Sequence, residues 1–72
     1  MARPVAAVLT ISDGVSGGTR VDASGDAAQG LLGDAGFDVT AREVVADERP
    51  EIERVLRRLA SSHGLVVTTG GT

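Results

Sequence analysis

The feature that most constrains the fold is a nearly continuous apolar run close to the start of the chain, residues 4–11. Its sequence, Pro-Val-Ala-Ala-Val-Leu-Thr-Ile, does not alternate between apolar and polar side chains. A strand with one wet face would alternate, so this run predicts a strand covered on both faces, as in a parallel sheet. A second apolar run, residues 64–69, precedes a pair of glycines and predicts another buried strand.

A helical pattern follows the first run after a polar loop. The helix is predicted to begin at Asp22 or Ser24, since either side chain can cap its free N–H groups. Gly36 suits the position just after its end. Gly30 and Gly33 disfavour a helix, so we expect them to permit close packing instead. The apolar stripe that we expect to be buried consists of Ala27, Ala28, Leu31, Leu32 and Ala35.

A second helical pattern is the clearest element of the sequence. Pro50 is acceptable only in the first turn of a helix, and Asp47 and Glu48 suit its positive end. The segment before it, residues 37–45, alternates at first, which predicts a strand nearer a sheet edge. The stripe at spacing i, i+3, i+4, i+7 consists of Ile52, Val55, Leu56 and Leu59.

The order strand–helix–strand–helix–strand predicts an α/β fold: a three-layer sandwich with a mostly parallel sheet, all within residues 1–72 of a single domain. Ligands of such sheets bind beyond the carboxyl ends of the strands. Three polar segments are expected to meet there, residues 12–22, 46–48 and 68–72. The first is longer than a usual βα connection, which indicates a functional loop.

Composition excludes several classes of function. The absence of cysteine excludes a disulfide framework and a cysteine-based zinc site. Ten acidic residues against seven arginines, with a net charge of −3, give no basic field for nucleic acid. No stretch approaches the ~18 apolar residues of a membrane span, so no membrane partner and a cytoplasmic location are expected.

The last five residues, Thr68-Thr-Gly-Gly-Thr72, follow the second buried strand. Two glycines there let the backbone turn sharply and aim its N–H groups at an anion, with threonine hydroxyls as further donors. The segment is not a Walker loop, because it lacks Gly-Lys-Ser/Thr. On physical grounds alone, an anion site and an ordinary strand-to-helix turn are equally open.

Four short motifs follow one another along the chain. They are Thr10-Ile-Ser-Asp13, Gly18 with Asp22-x-Ser24-Gly25, Val45-Ala-Asp-Glu48, and Thr68-Thr-Gly-Gly-Thr72. In this order and spacing they resemble the MoaB/Mog family of molybdenum-cofactor biosynthesis proteins. Molybdopterin molybdotransferases and CinA-like proteins share the glycine loop, but the early Ser-Asp and Asp-x-Ser-Gly elements favour the MoaB/Mog branch.

The resemblance implies adenylylation of molybdopterin, in which the terminal phosphate of the pterin attacks the α-phosphorus of Mg-ATP and pyrophosphate leaves. It implies that Asp47 is catalytic and a Mg²⁺ ligand, whereas the simpler interpretation is a solvated helix N-cap. It also implies a homotrimer. The residues implied to bind the pterin and its phosphate are Ser12, Asp13, Thr69, Gly70, Gly71 and Thr72.

Alternatives stay open for several residues. Asp13 could merely organise its own loop through an Asx turn, and Asp22 and Ser24 are expected to cap the helix rather than to take part in chemistry. Arg20 could reach an anion from the loop, although a lone loop arginine is usually solvated. His63 is expected at a surface turn.

The sequence stops before the Arg-Asp segment that carries the family's second essential carboxylate. We therefore expect residues 1–72 to be the N-terminal part of a longer domain, and whether this polypeptide is itself an enzyme stays open. One alternative is a non-catalytic pterin-binding or assembly protein of the same fold. Another is a generic nucleotide-binding α/β fragment.

Overall fold

A computed structural model describes residues 3–70 of the chain. Its elements are β1 (Val5–Ile11), α1 (Asp13–Ser16), α2 (Ala23–Asp34), β2 (Asp38–Val45), α3 (Arg49–Ala60) and β3 (Leu65–Gly70). The predicted order of strands and helices is confirmed, with one addition. The segment predicted as a loop, residues 12–22, contains the four-residue helix α1.

All three strands lie parallel in one sheet, in the order β2–β1–β3. The first apolar run thus forms the central strand, paired on both edges and covered on both faces, and residues 6–10 of it are buried. The sequence predicted this burial because the run does not alternate. The α/β class and the parallel sheet are confirmed.

One face of the sheet packs against α3 through apolar side chains. Val55 and Leu59, the inner positions of the predicted stripe, are 1% and 2% exposed. They form one cluster with Ala7, Leu9 and Val45 of the sheet. Burial of each such large aliphatic side chain stabilises the fold by about 1.5–3 kcal/mol. The α3 stripe is confirmed, and Pro50 lies in the first turn as predicted.

The opposite face packs against α2, and there the predicted buried stripe is partly wrong. Ala28 and Leu32 are half-buried, but Ala27 and Ala35 are exposed, and Leu31 is 71% exposed. The described part of the chain places no element over the outer side of this helix, so apolar spacing alone could not decide its burial.

The expected close packing at Gly30 and Gly33 is also absent from residues 3–70. No atom lies within 4 Å of the position that a Cβ would take at either glycine. These two residues therefore weaken α2 as helix formers without a compensating contact in this part of the chain.

The end of α2 is closed by backbone and arginine contacts. Gly36 takes a φ of +98°, which confirms its predicted place after the helix. Arg3 donates hydrogen bonds of 3.0–3.1 Å to the carbonyl oxygens of Gly33, Gly36 and Phe37. These bonds fix Arg3 against the end of α2 and the two residues that precede β2.

His63, predicted at a surface turn, lies within hydrogen-bond distance of groups on two other elements. Its Nδ1 lies 2.9 Å from the carbonyl oxygen of Leu59 at the end of α3, and its Nε2 lies 2.9 Å from Oγ1 of Thr40. Thr40 occupies the irregular point of β2, where the pairing with β1 shifts register. His63 thus ties the end of α3 to the edge strand.

No helix within residues 3–70 is long and apolar enough to cross a bilayer.

Candidate functional site

A cavity of about 410 Å³ opens at the carboxyl end of the sheet. Its lining comes from the carboxyl ends of the strands and the segments after them: residues 10–15 and 20–24 at and after the end of β1, Asp47 after β2, and residues 69–70 at the end of β3. The sequence predicted this convergence, because the carboxyl ends of parallel strands meet at one edge of a sheet.

The structure brings together the predicted site residues that it describes, since all of them line this cavity: Ser12, Asp13, Asp47, Thr69 and Gly70. Gly71 and Thr72 lie outside the described residues. Juxtaposition does not assign a role to any of them, so the pterin-binding, catalytic and metal-binding roles stay predictions.

Asp13 links two of the three segments. One oxygen of its carboxylate accepts a hydrogen bond of 2.9 Å from the backbone N–H of Asp47. These residues are 34 positions apart, so the bond fixes the loop after β2 against the loop after β1 rather than closing a local turn. The neighbouring Ser12 caps α1, because its Oγ accepts from the N–H of Val15 at 3.3 Å.

Asp47 is exposed, and its carboxylate receives no hydrogen bond from residues 3–70. The simpler interpretation, a helix N-cap, is wrong: the N-cap of α3 is Glu48, and no side chain caps that helix end. Asp47 therefore sits at the cavity with its backbone held by Asp13 and its carboxylate open to a ligand.

At the end of β3 the backbone requires glycine. Gly70 has a φ of +80°, and a Cβ at this position would overlap the carbonyl oxygen of Ile11 in the neighbouring strand. Any larger residue would be strained in backbone conformation and would clash with β1. The first glycine of the predicted loop thus lets β3 turn while it stays paired with β1.

A chain of hydrogen bonds joins Thr69, Thr10 and Asp22, all of which line the cavity. The Thr69 hydroxyl donates to Oγ1 of Thr10 at 3.3 Å. The Thr10 hydroxyl, buried in the central strand, donates to both carboxylate oxygens of Asp22, at 3.0 and 2.9 Å. A buried hydroxyl without a partner would be costly, so this arrangement orients both threonines.

Asp22 has two functions in the described structure. It caps α2 as predicted, because its carboxylate accepts from the Gly25 N–H at 3.0 Å, and it pairs with Arg42 at 2.7 Å. Partial burial alone would raise the pKa of Asp22, but hydrogen bonds from Thr10, Arg42 and Gly25, with the charge of Arg42, lower the pKa below its ordinary value.

Sequence reasoning missed Thr10 and Arg42 as partners of Asp22. The available signals were weak: one hydroxyl within an otherwise apolar run, and one arginine in an alternating strand. Arg42 also contacts Asp26 at 2.6 Å and Gln29 at 3.0 Å, on successive turns of α2. No local pattern specifies which helix face an arginine on a distant strand will meet.

The carboxylates at the cavity can be compared with the donors that Mg²⁺ takes in nucleotide sites. Within residues 3–70, no group of three or more His, Cys, Asp or Glu side chains could hold a metal ion by itself. Mg²⁺ in nucleotide sites usually takes one or two carboxylates and completes its shell with water and substrate phosphates. Asp13 and Asp47 both line the cavity, and two such carboxylates are compatible with a Mg²⁺ ion that arrives with a phosphorylated substrate.

Comparison with known proteins gives one family and several relatives. Residues 7–72 match the family described as "Probable molybdopterin binding domain". A CinA-like protein of Geobacter sulfurreducens is 38% identical over 65 residues, which cover 90% of this chain and 16% of that protein.

Two solved structures share the fold. The protein CinA of Thermoplasma acidophilum, described as of unknown function, superposes with a TM-score of 0.91 at 28% identity, covering 96% of this chain and 41% of that chain. The molybdopterin biosynthesis enzyme MoaB of Thermus thermophilus superposes with a TM-score of 0.85 at 40% identity, covering 96% of this chain and 45% of that chain. The chain spans less than half the length of each relative.

Proposed function

Because this chain belongs to the family of probable molybdopterin-binding domains, we propose that it binds molybdopterin at the carboxyl end of its sheet and acts in molybdenum-cofactor biosynthesis. The resemblance to MoaB/Mog proteins, first inferred from four motifs, agrees with the family match over residues 7–72 and with the 40% identity to MoaB.

One observation carries the proposal: residues from three separate segments line a single cavity at the edge where parallel α/β sheets bind ligands. Besides Asp22, which pairs with Arg42, the lining includes the carboxylates of Asp13 and Asp47, the hydroxyl of Ser12 and the backbone turn at Gly70. Such a set suits a phosphorylated ligand that brings a divalent cation, because hydroxyls can donate to phosphate oxygens while carboxylates hold the cation.

The finer proposal is that the natural protein adenylylates molybdopterin. An oxygen of the pterin's terminal phosphate would form a bond to the α-phosphorus of ATP, and the bond from that phosphorus to the departing pyrophosphate would break. This chemistry depends on alignment and charge neutralisation more than on a covalent nucleophile. Mg²⁺, when bound with ATP, would supply part of that neutralisation.

The finer proposal gives a role to several of the predicted site residues. Asp47 would hold the cation, and Asp13 would keep Asp47 in place through its backbone N–H. Thr69 and Gly70 would position a phosphate at the end of β3. Gly71 and Thr72 would extend that contact, although they lie outside the described residues. A homotrimer and a cytoplasmic location belong to the same proposal, and light scattering tests the first of these.

The decisive experiment replaces Asp47 by asparagine in the protein at its natural length. With molybdopterin and Mg-ATP, the Asp47→Asn variant should release pyrophosphate at least about 100-fold more slowly, because a group that stabilises developing charge is worth that much. Molybdopterin binding should persist, since the variant keeps the shape of the side chain. A pyrophosphate assay measures the reaction, and titration calorimetry with molybdopterin measures binding.

Glu48→Gln is the matched control, because Glu48 is the adjacent exposed acidic residue and does not line the cavity. It should adenylylate at the wild-type rate. An Asp47→Asn variant as fast as wild type would contradict the role of Asp47. A wild-type protein that fails to bind molybdopterin would contradict the broader proposal.

Binding without adenylylation is the second candidate, and the family match favours it, since that family is described by molybdopterin binding alone. Under this alternative the wild-type protein binds molybdopterin but releases no pyrophosphate from Mg-ATP. A nucleotide-binding protein unrelated to the pterin would bind ATP with no effect of added molybdopterin. The pyrophosphate assay, together with titration calorimetry of molybdopterin and of ATP, therefore separates the three candidates.

A further inference from the structure

We propose that Arg20 binds a phosphate group in the cavity and that Gly14 makes this possible by leaving room for the arginine stem. The inference rests on the proposed function for the identity of the substrates. It rests on the geometry of the loop after β1 for the choice of residue.

The side chains that line the cavity carry an excess of negative charge. Three carboxylates line it, those of Asp13, Asp22 and Asp47, against a single cationic side chain, Arg20, among the residues described. Asp22 pairs with Arg42 at 2.7 Å. Asp13 and Asp47 form no salt bridge with any side chain of residues 3–70. A phosphate entering beside these carboxylates would be repelled unless positive charge lies close to it, and Arg20 can add to the charge of the cation that the ligand brings.

The loop holds Arg20 in place through Gly14. The carbonyl oxygen of Gly14 accepts from the N–H of Arg20 at 3.2 Å, and from the N–H and hydroxyl of Thr19 at 2.9 and 3.0 Å. A Cβ added at Gly14 would lie only 2.5 Å from Cδ and 3.0 Å from Cγ of Arg20. The arginine stem therefore occupies the space that any other residue at position 14 would fill.

The head of Arg20 has no acceptor in the described part of the chain, unlike most arginines here. Five arginines donate to carboxylates, an amide oxygen or backbone carbonyls, namely Arg3, Arg42, Arg49, Arg54 and Arg58. Arg20 and Arg57 make no such contact within residues 3–70, and only Arg20 lines the cavity. An arginine anchored along its stem, with an unpaired planar head at a cavity, suits bidentate contact with phosphate.

The phosphate could belong to the nucleotide or to the terminal phosphate of the pterin, since a guanidinium recognises both in the same way. Titration calorimetry at the protein's natural length separates them with three ligands: Mg-ATP, inorganic pyrophosphate and molybdopterin. Arg20→Gln should weaken the ligand that it contacts by about tenfold to hundredfold, as expected for loss of a charge-assisted hydrogen bond. Arg57→Gln, the other arginine without a partner, should bind all three ligands as wild type does.

A second variant tests the role of Gly14. Gly14→Ala should displace the Arg20 stem and weaken the same ligand, although it removes no charge. In the double variant, binding should be no weaker than in Arg20→Gln alone, because both changes act through one contact. Thermal melting within a few degrees of wild type would exclude a general loss of structure.

Each outcome bears on one proposal or both. If Arg20→Gln binds all three ligands as tightly as wild type, the inference about Arg20 is overturned and the proposed function stands. If Arg20→Gln weakens pyrophosphate binding while wild type fails to bind molybdopterin, Arg20 is supported and the proposed function falls. A wild-type protein that binds none of the three overturns both.

Discussion

The two faces of the sheet are each covered by a twelve-residue helix, yet different forces hold the two helices. On the α3 side, Val55 and Leu59 are buried against Leu9 and its neighbours in an apolar cluster. On the α2 side, the contacts that join helix to sheet include the ion pairs of Arg42 with Asp22 and Asp26. Apolar packing follows a spacing that a sequence displays, whereas an ion pair between distant residues leaves no such spacing.

The difference between the two sides also predicts which substitutions alter stability alone and which alter the site as well. The apolar cluster under α3 contains no cavity residue apart from Ile11 at its margin. The network under α2 includes Asp22, Thr10 and Thr69, all of which line the cavity. A change on the α3 side should therefore alter mainly the free energy of unfolding, and a change on the α2 side should reach the site as well.

The largest expected effect is on the α3 side. Leu59→Ala should lower the free energy of unfolding by about 2–5 kcal/mol, the usual cost of removing a fully buried leucine side chain. Urea denaturation at neutral pH measures it. Leu56→Ala, on the same helix but only half-buried, is the matched control and should cost less. A loss below about 1 kcal/mol for Leu59→Ala would mean that this cluster is not the main core.

An intermediate effect is expected at Asp22. Asp22→Asn should lower the free energy of unfolding at pH 7 by about 1–3 kcal/mol, because charge-assisted hydrogen bonds to Arg42 and Thr10 are weakened. Asp26→Asn is the matched control, since Asp26 contacts the same arginine but its side chain is 73% exposed, and it should cost less than about 1 kcal/mol.

The pH dependence of this effect has a definite sign. The pKa of Asp22 is lowered in the fold, so its stabilising contribution is present above its unfolded pKa of about 3.9 and is lost as pH falls through the folded-state pKa. The difference between wild type and Asp22→Asn should therefore shrink as the pH is lowered from about 5. A difference that stays constant down to acid unfolding would show that the charge of Asp22 does not stabilise the fold.

The smallest effect is expected on the outer side of α2. Leu31→Gln should change the free energy of unfolding by no more than about 0.5 kcal/mol, because Leu31 is 71% exposed. The same denaturation measurement applies. Destabilisation above about 1 kcal/mol would show that another segment or another copy covers this face in the natural protein, and the two sides of the sheet would then be more alike.

Much of the fold could be predicted because it depends on local periodicity. The unbroken apolar run of β1 indicated a central strand, and the stripe of α3 indicated its buried side. The convergence of Ser12, Asp47 and Thr69 at one cavity followed from topology alone. These inferences need no knowledge of individual contacts.

Other features could not be predicted because they depend on partners that spacing does not reveal. The helix α1 has four residues, too few for any periodic signal. Leu31 had the spacing of a buried residue, but burial requires a neighbour that the spacing cannot supply. The bond from Asp13 to Asp47 and the pairing of Asp22 with Arg42 join distant positions, so only the assembled fold shows them.

The strand order has a consequence for how the chain is made on the ribosome. Thr10 and Thr69 are partners in adjacent strands but are separated by 59 positions. At about 5–20 residues per second, β1 therefore waits about 3–12 s for β3 to be synthesised. During that interval the most apolar strand presents an unpaired edge, the kind of surface that joins other nascent chains. The strand that organises the finished sheet is thus also the segment for which early chaperone contact matters most.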